Sequence, residues 1–293
     1  MKKILCLCIY LCCLTFVLSG CGHPVEEHSH RTVEYSNLTD EATRSELAQL
    51  MSEAGISEER QKVFFDHVEQ FNGAVSHDGL TQGFEQADFT ETKYDPYAMQ
   101  AEWEAAYPDF LGYNCRITAW GLFGDFLSVS DGALTRDDMI LMDLYSLEED
   151  NSVFLEQGEE ERFRAFFSTV PTEATADVSV HVKRLQTDLA NRKIAFEAND
   201  RASLISVVIH DAWDDENNLF IGHVGVLFTA DSGELYFVEK LAFEEPYQLT
   251  KFKDRTELND YLMAKYDIDE NQPTAPPFIM ENDRLLEGYR RIG

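Results

Sequence analysis

A chain of 293 residues has the length for one large domain or two small ones. Its 54 acidic residues against 24 basic ones leave a net charge of −30, a field that repels polyanions and excludes nucleic acid as a partner. The acidic residues are interleaved with aromatics along the whole chain, which argues for a packed domain and against a disordered acidic tail.

The chain opens with a leader pattern: Lys2 and Lys3, then an apolar run over 4–18 that is short for a membrane span and suits an export signal. The run ends in Leu18-Ser19-Gly20-Cys21. This resembles the lipobox of bacterial lipoproteins, in which the cysteine thiol receives a diacylglyceryl group and the leader is removed before it. The resemblance implies a signal peptide over 1–20, lipidation of Cys21, a lipid-anchored extracytoplasmic location, and the membrane as a partner. Cys6, Cys8, Cys12 and Cys13 would leave with the leader and Cys21 would carry lipid, so Cys115 is the one thiol expected in the folded part. One thiol builds no disulfide framework, and stability must come from a core. Residues 21–34 hold few apolar side chains and read as a tether. His23, His28 and His30 within it read as solvated linker residues rather than metal ligands. The remainder, 35–293, is expected to be a single α+β domain.

Thr39 or Asp40 caps a first helix carrying Ala42, Leu47, Leu50, Met51 and Ala54 near helical spacing, and Gly55 ends it. Ser57 opens a second helix with Val63, Phe64, Val68 and Phe71 on one side, closed by Asn72-Gly73. From 74 to 95 the periodicity is poor, predicting loop with one short strand. Pro96 suits the first position of a helix over 97–107, stopped by Pro108. The next helix starts at Cys115, with Ile117, Ala119, Leu122, Phe123 and Phe126 facing apolar surroundings. Residues 125–201 read as a helical insertion, with helices over 139–145, 159–167 and 178–196, the first capped by Thr135 with Asp138.

The period then changes. Residues 203–209, 220–228 and 235–241 read as strands, with Asp231-Ser232-Gly233-Glu234 as the tight connection between the last two. A further short strand is expected over 248–252. Asp254 caps a helix over 255–266 with Leu258, Tyr261 and Leu262 inward. The stretch with Pro273, Pro276 and Pro277 is extended and is expected to finish in a short helix over 281–289.

Chemistry concentrates at two places. A thiol at a helix start meets unpaired N–H groups and the positive end of the helix dipole, which favour the nucleophilic thiolate. The bland alternative for Cys115 is a small buried apolar side chain. The strand Gly222-His223-Val224-Gly225-Val226-Leu227 offers a base, since its imidazole can project from a sheet face toward that helix start. On the following strand Glu239 lies across the hairpin, where it would orient the His223 ring and stabilise an imidazolium. A register slip of one residue would put Lys240 there instead. Tyr113 and Asn114, just ahead of the thiol, and Trp213 are the candidate substrate contacts, although a partly buried hairpin aromatic is the plainer reading of Trp213.

A Cys at a helix start, a strand His-Val-Gly-Val-Leu and a polar residue on the next strand resemble the papain-like cysteine peptidases and amidases of the NlpC type, which cut peptidoglycan stem peptides. The resemblance implies a papain-like core with Cys115 as nucleophile, His223 as base and Glu239 as orienting residue, and cell-wall peptide as substrate. It spans two motifs. This chain departs from the pattern in having Arg116 where a small residue is usual, Glu at the third position, and 108 positions between nucleophile and base. No glutamine precedes Cys115 at the spacing of the papain oxyanion hole. Over its full length, from Tyr35-Ser36-Asn37-Leu38 through Asn114-Cys115-Arg116-Ile117-Thr118-Ala119 to Tyr261-Leu262, the chain is similar to an uncharacterised bacterial lipoprotein family of unknown function.

Other polar clusters carry less. His210 and Asp211 with Asp214, Asp215 and Glu216 match no zinc spacing and lack the glycine and distal Glu of a calcium loop, so a solvated loop is expected. His67 and His181 read as surface or satisfied core residues. No metal set or cofactor motif is present. Two functions follow: a lipid-anchored cysteine hydrolase acting on an amide through a Cys115 acyl-enzyme, or a non-catalytic lipoprotein that uses the same scaffold to bind a ligand or protein partner.

Overall fold

The computed structural model describes residues 31–130, 136–212, 216–269 and 272–292. Cys21 and the leader, Thr135 and Trp213 lie outside the described residues. In chain order the elements are β1 (Thr32–Ser36), α1 (Glu41–Glu53), α2 (Glu58–Ala74), β2 (Glu85–Asp88), α3 (Pro96–Ala106), α4 (Cys115–Phe123) and β3 (Leu127–Ser128). There follow α5 (Leu141–Glu149), α6 (Glu159–Phe166), β4 (Val170–Pro171), α7 (Val178–Asn191), β5 (Ala195–Phe196), β6 (Ala202–Asp211), β7 (Asn218–Thr229), β8 (Leu235–Lys240) and β9 (Tyr247–Phe252). The chain closes with α8 (Arg255–Tyr266), β10 (Phe278–Glu281) and β11 (Arg284–Leu285).

The helix starts follow local chemistry. The side chains of Asp40, Ser57, Asp95, Asn114, Asp177 and Asp254 each accept a hydrogen bond from an N–H of the first turn that has no partner within the helix. The start of α5 has no such cap: Ile140 precedes Leu141, so the helix begins two residues later than expected.

One antiparallel sheet organises the domain, in the order β11-β10-β6-β7-β8-β9-β1-β2, with β4 pairing to β7. Its central strands β6 and β7 are the longest and are buried on both faces. One face carries a large core that takes in Leu47, Met51, Phe64 and Phe71 of the first two helices, Ile117, Trp120 and Phe123 of α4, and Phe163 and Phe166 of α6. The opposite face holds a second core, in which Ile205, Val207, Leu227 and Phe237 pack with Leu258, Tyr261 and Leu262 of α8. The fold class is mixed α and β.

Three expectations are corrected. The tether stops short of residue 34, because Thr32–Ser36 is a strand that pairs with both β2 and β9 and buries Val33 and Tyr35. Residues 281–289 form no helix. Phe278, Ile279 and Met280 are fully buried against β6, and Asn282 turns the chain with φ +54° into β11. Asn282 is held there because its N–H donates to Leu204 O and its Oδ1 accepts from Leu204 N. The region 125–201 is not helical throughout, since β4 pairs with β7 and β3 with β5, and its last helix ends at Asn191.

Candidate active site

Asn114 builds the start of α4: its Oδ1 accepts from Ile117 N at 3.1 Å, and Cys115 follows as the first helical residue. The thiol is buried, with 5% of the residue exposed. Arg116, which fits the sequence pattern least, has a structural task. Its Nε and Nη2 donate to Asp143 Oδ1 and Oδ2 of α5 at 2.8 and 2.7 Å, and its Nη1 donates to Ile221 O of β7 at 3.1 Å. Asn114 Nδ2 donates to the same Asp143 Oδ1 at 2.9 Å. Asp143 is fully buried. One carboxylate therefore grips both neighbours of the thiol, and the guanidinium ties them to the strand two residues ahead of His223.

The local form of β7 and β8 brings in the second and third groups. Val207 faces His223 and Val208 faces Ile221 across the β6–β7 ladder, leaving Gly222 as an extra residue, a bulge that re-aims the strand next to the imidazole. Gly225 follows two positions on, where a Cβ would meet Phe237 Cζ and Val238 O at 2.5 Å; only glycine allows that approach. Pairing of β7 with β8 runs from Thr229↔Leu235 to Val226↔Val238, whereas Glu239 and Lys240 pair with Gln248 and Tyr247 of β9. Beyond Val226 the two strands are joined by side chains: His223 Nε2 lies 2.7 Å from Glu239 Oε2. The expected register holds, with Glu239 and not Lys240 at the histidine.

The carboxylate is fixed in turn. Glu239 Oε1 accepts from Tyr261 OH of α8, and from Gln248 Nε2 at 3.3 Å; Gln248 also donates to Tyr261 OH at 2.9 Å. Tyr266 stacks on the His223 ring at 5.1 Å between centroids. Cys115 belongs to the core on the α4 face, while Tyr261 belongs to the core on the α8 face. The constellation thus joins the two layers where β7 and β8 separate.

The electrostatics follow from these contacts. Burial alone would push the Cys115 thiol up, but hydrogen bonding and charge from His223, with the nearby Arg116 guanidinium, outweigh it and bring the thiol below its ordinary value. Burial likewise opposes charge on His223, yet the thiol and Glu239 raise its pKa to about 9. Glu239 stays below the ordinary carboxylate range despite burial, because the imidazolium beside it favours the charged form. With Nε2 on Glu239, Nδ1 is the nitrogen left for the thiol. It has no partner in good hydrogen-bond geometry, although thiol and ring are near enough to shift one another, the loose approach common in unliganded nucleophile–base pairs. The arrangement sets a buried thiol, lowered from its ordinary pKa, beside an imidazole that a carboxylate holds.

Tyr113 and Asn114 are not free for substrate. Tyr113 is buried, stacks on His67 at 3.7 Å and donates from its OH to Asp150 Oδ2 at 2.6 Å. Asn114 is buried as the cap and Asp143 partner. His67 and His181 are satisfied core residues. His67 Nε2 lies 2.8 Å from Ser152 Oγ, and the two nitrogens of His181 lie 2.8 Å from Thr172 Oγ1 and from Thr175 O. His210 is occupied by Asn217 Oδ1 and the Ala275 N–H, and no group of three metal-ligating side chains occurs among the described residues.

Sequence reasoning missed Gln248, Tyr266 and Asp143, and took Tyr261 as core alone. Asp143 had a signal: an acid on the inner side of a helix beside Leu144 and Leu147 must find a buried partner. Gln248 had one too, since it directly faces Glu239 across the β8–β9 ladder.

Fold and site together define a mixed α and β domain that holds a buried thiol near an imidazole bonded to a buried carboxylate. The chain belongs to the family described as Domain of unknown function (DUF4300), whose model matches residues 34–286. No curated protein and no solved structure matches it.

Proposed function

We propose that this chain is a papain-like cysteine hydrolase of the NlpC type, anchored outside the cytoplasm by lipid on Cys21 and acting on an amide bond, with cell-wall peptide as the substrate. The observation that carries the reading is the Cys115–His223–Glu239 constellation, in which a helix-start thiol below its ordinary pKa meets an imidazole held by a buried carboxylate. The Cys115 thiolate would attack the carbonyl carbon and His223 would give its proton to the leaving amine, leaving an acyl-enzyme. Water, deprotonated by His223, would then release the acid and regenerate the thiol. The Ile117 and Thr118 N–H groups are claimed by Asn114, so the Cys115 and Arg116 N–H groups are the first-turn backbone donors left for an oxyanion. The anchor rests on the lipobox-like segment. No helix among the described residues is long and apolar enough to cross a membrane.

Alkylation by iodoacetamide across pH tests the chemistry. The thiolate should appear below the ordinary thiol value near ~8.5, and His223→Ala should move that onset upward. An ordinary onset that ignores His223→Ala sinks the hydrolase. A second reading, a binding protein on the same scaffold, draws on the burial of the thiol, which a substrate would have to uncover. An inert thiol with intact partner binding would establish it.

A further inference from the structure

A groove of about 350 Å³ is walled by Trp103, Glu104, Asp109, Phe110, Tyr145 and Phe243, with Glu244 beside them. Its walls are the segments that frame the candidate active site. Phe110 and Leu111 lead into Cys115. Tyr145 stands two residues after Asp143 on α5, and the next residue, Ser146, donates to Gly112 O. The carbonyl of Phe243 accepts from Lys240 Nζ at 3.1 Å, directly after Glu239 in the chain.

The lining is chemically one-sided. Four aromatic rings and three carboxylates meet there, with no Lys or Arg among the lining residues. None of the three carboxylates forms a salt bridge among the described residues. Glu104 accepts from the neutral amide of Gln100, at 2.9 Å. The aromatic wall is preset: Trp103 Nε1 donates to Phe110 O at 2.7 Å, and the two rings lie 5.8 Å apart. A hard metal ion wants oxygen ligands and gains nothing from four rings. An organic ammonium gains from both, through its charge at the carboxylates and through cation–π contact with the ring faces. Beyond the groove α5 continues outward with Leu141 and Met142, which are 62% and 55% exposed, an apolar strip that Tyr145 joins to the cavity.

We infer that this groove binds a peptide through a primary ammonium group, with apolar side chains of the same peptide lying along the outer face of α5. As a substrate subsite this rests on the proposed hydrolase; as a binding site it stands alone, and the test separates the two. Tri-lysine amide is titrated into the full chain in detergent at physiological salt, following tryptophan fluorescence, with its form acetylated at the α-amino group and at all three Nε atoms as control. Two triple variants are compared: Glu104→Gln with Asp109→Asn and Glu244→Gln in the groove, and Glu53→Gln with Glu161→Gln and Glu173→Gln outside it. Acetylation and the groove triple should each weaken binding by about tenfold or more, and the outer triple by less than about twofold. Equal loss with both triples would show attraction by the bulk acidic field and overturn the inference, as would indifference to acetylation or no saturable binding. Groove-dependent binding by a chain whose Cys115 fails the alkylation test overturns the hydrolase and leaves the subsite standing.

Discussion

Glu239 is the residue on which the candidate chemistry turns. It is fully buried and charged, and it is stabilised by the imidazolium, the Tyr261 hydroxyl and the Gln248 amide together. Glu239→Gln keeps the shape and removes the charge that holds His223 high. Its imidazole should then titrate well below about 9, read by NMR of the histidine ring, and the alkylation onset of Cys115 should move up. The sign for stability runs with the shifts. His223, raised, contributes stability that is complete below its ordinary value near ~6.5 and is lost as pH rises through about 9. Glu239, lowered, contributes stability present above its ordinary value near ~4.3 and lost as pH falls through its folded value. The melting-temperature difference between the native chain and Glu239→Gln should therefore be widest from about pH 4.5 to 6.5 and narrow on either side.

At the scale of elements, α5 is the part whose inner face holds the start of α4. Asp143→Asn leaves the Arg116 guanidinium, whose side chain is 14% exposed, without its counter-charge. Breaking such a pair costs about 3–5 kcal/mol, which urea unfolding will measure. The same variant should slow Cys115 alkylation even where the protein remains folded, because Asn114 and Arg116 lose their shared anchor. The loop after β8 is held differently. Lys240 Nζ donates to the carbonyls of Ala242, Phe243 and Glu245, and sits 4.1 Å from the Phe71 ring centroid. Lys240→Met strands those acceptors, and hydrogen exchange over residues 242–246 should accelerate while that of β6 stays slow.

At the scale of the molecule, region 125–201 is built into the core rather than laid over it. Asp143 anchors the α4 start, Phe163 and Phe166 pack against Trp120, Glu159 pairs with the buried Arg60 of α2 at 2.5 Å, and β4 adds to β7. Replacing residues 127–200 by a short linker should yield a chain that fails to fold, seen as loss of the cooperative melt and aggregation. A folded, soluble product would show a detachable cap instead. Loss of Phe278–Glu281 should act similarly, since it uncovers the edge of β6 along Ile205 to Val208.

Sequence alone determined what local chemistry controls. Helix starts were legible where Asp40, Ser57 and Asp254 accept from N–H groups of their own first turn and where Pro96 takes the first helical position, and the hairpin was legible from alternation and a Gly233 turn. His223 and Glu239 were legible as partners for the same reason, being joined by one short connection. Only the tertiary structure decided the rest. Asp143, Gln248, Tyr261 and Tyr266 come to the site from other elements, the Pro-rich end became an edge hairpin because β6 offered it a buried edge, and Thr32–Ser36 became a strand only between β2 and β9. A short segment states its preference locally, but a buried charge or a sheet edge is satisfied by whatever the fold brings to it, and that choice is written across the whole chain.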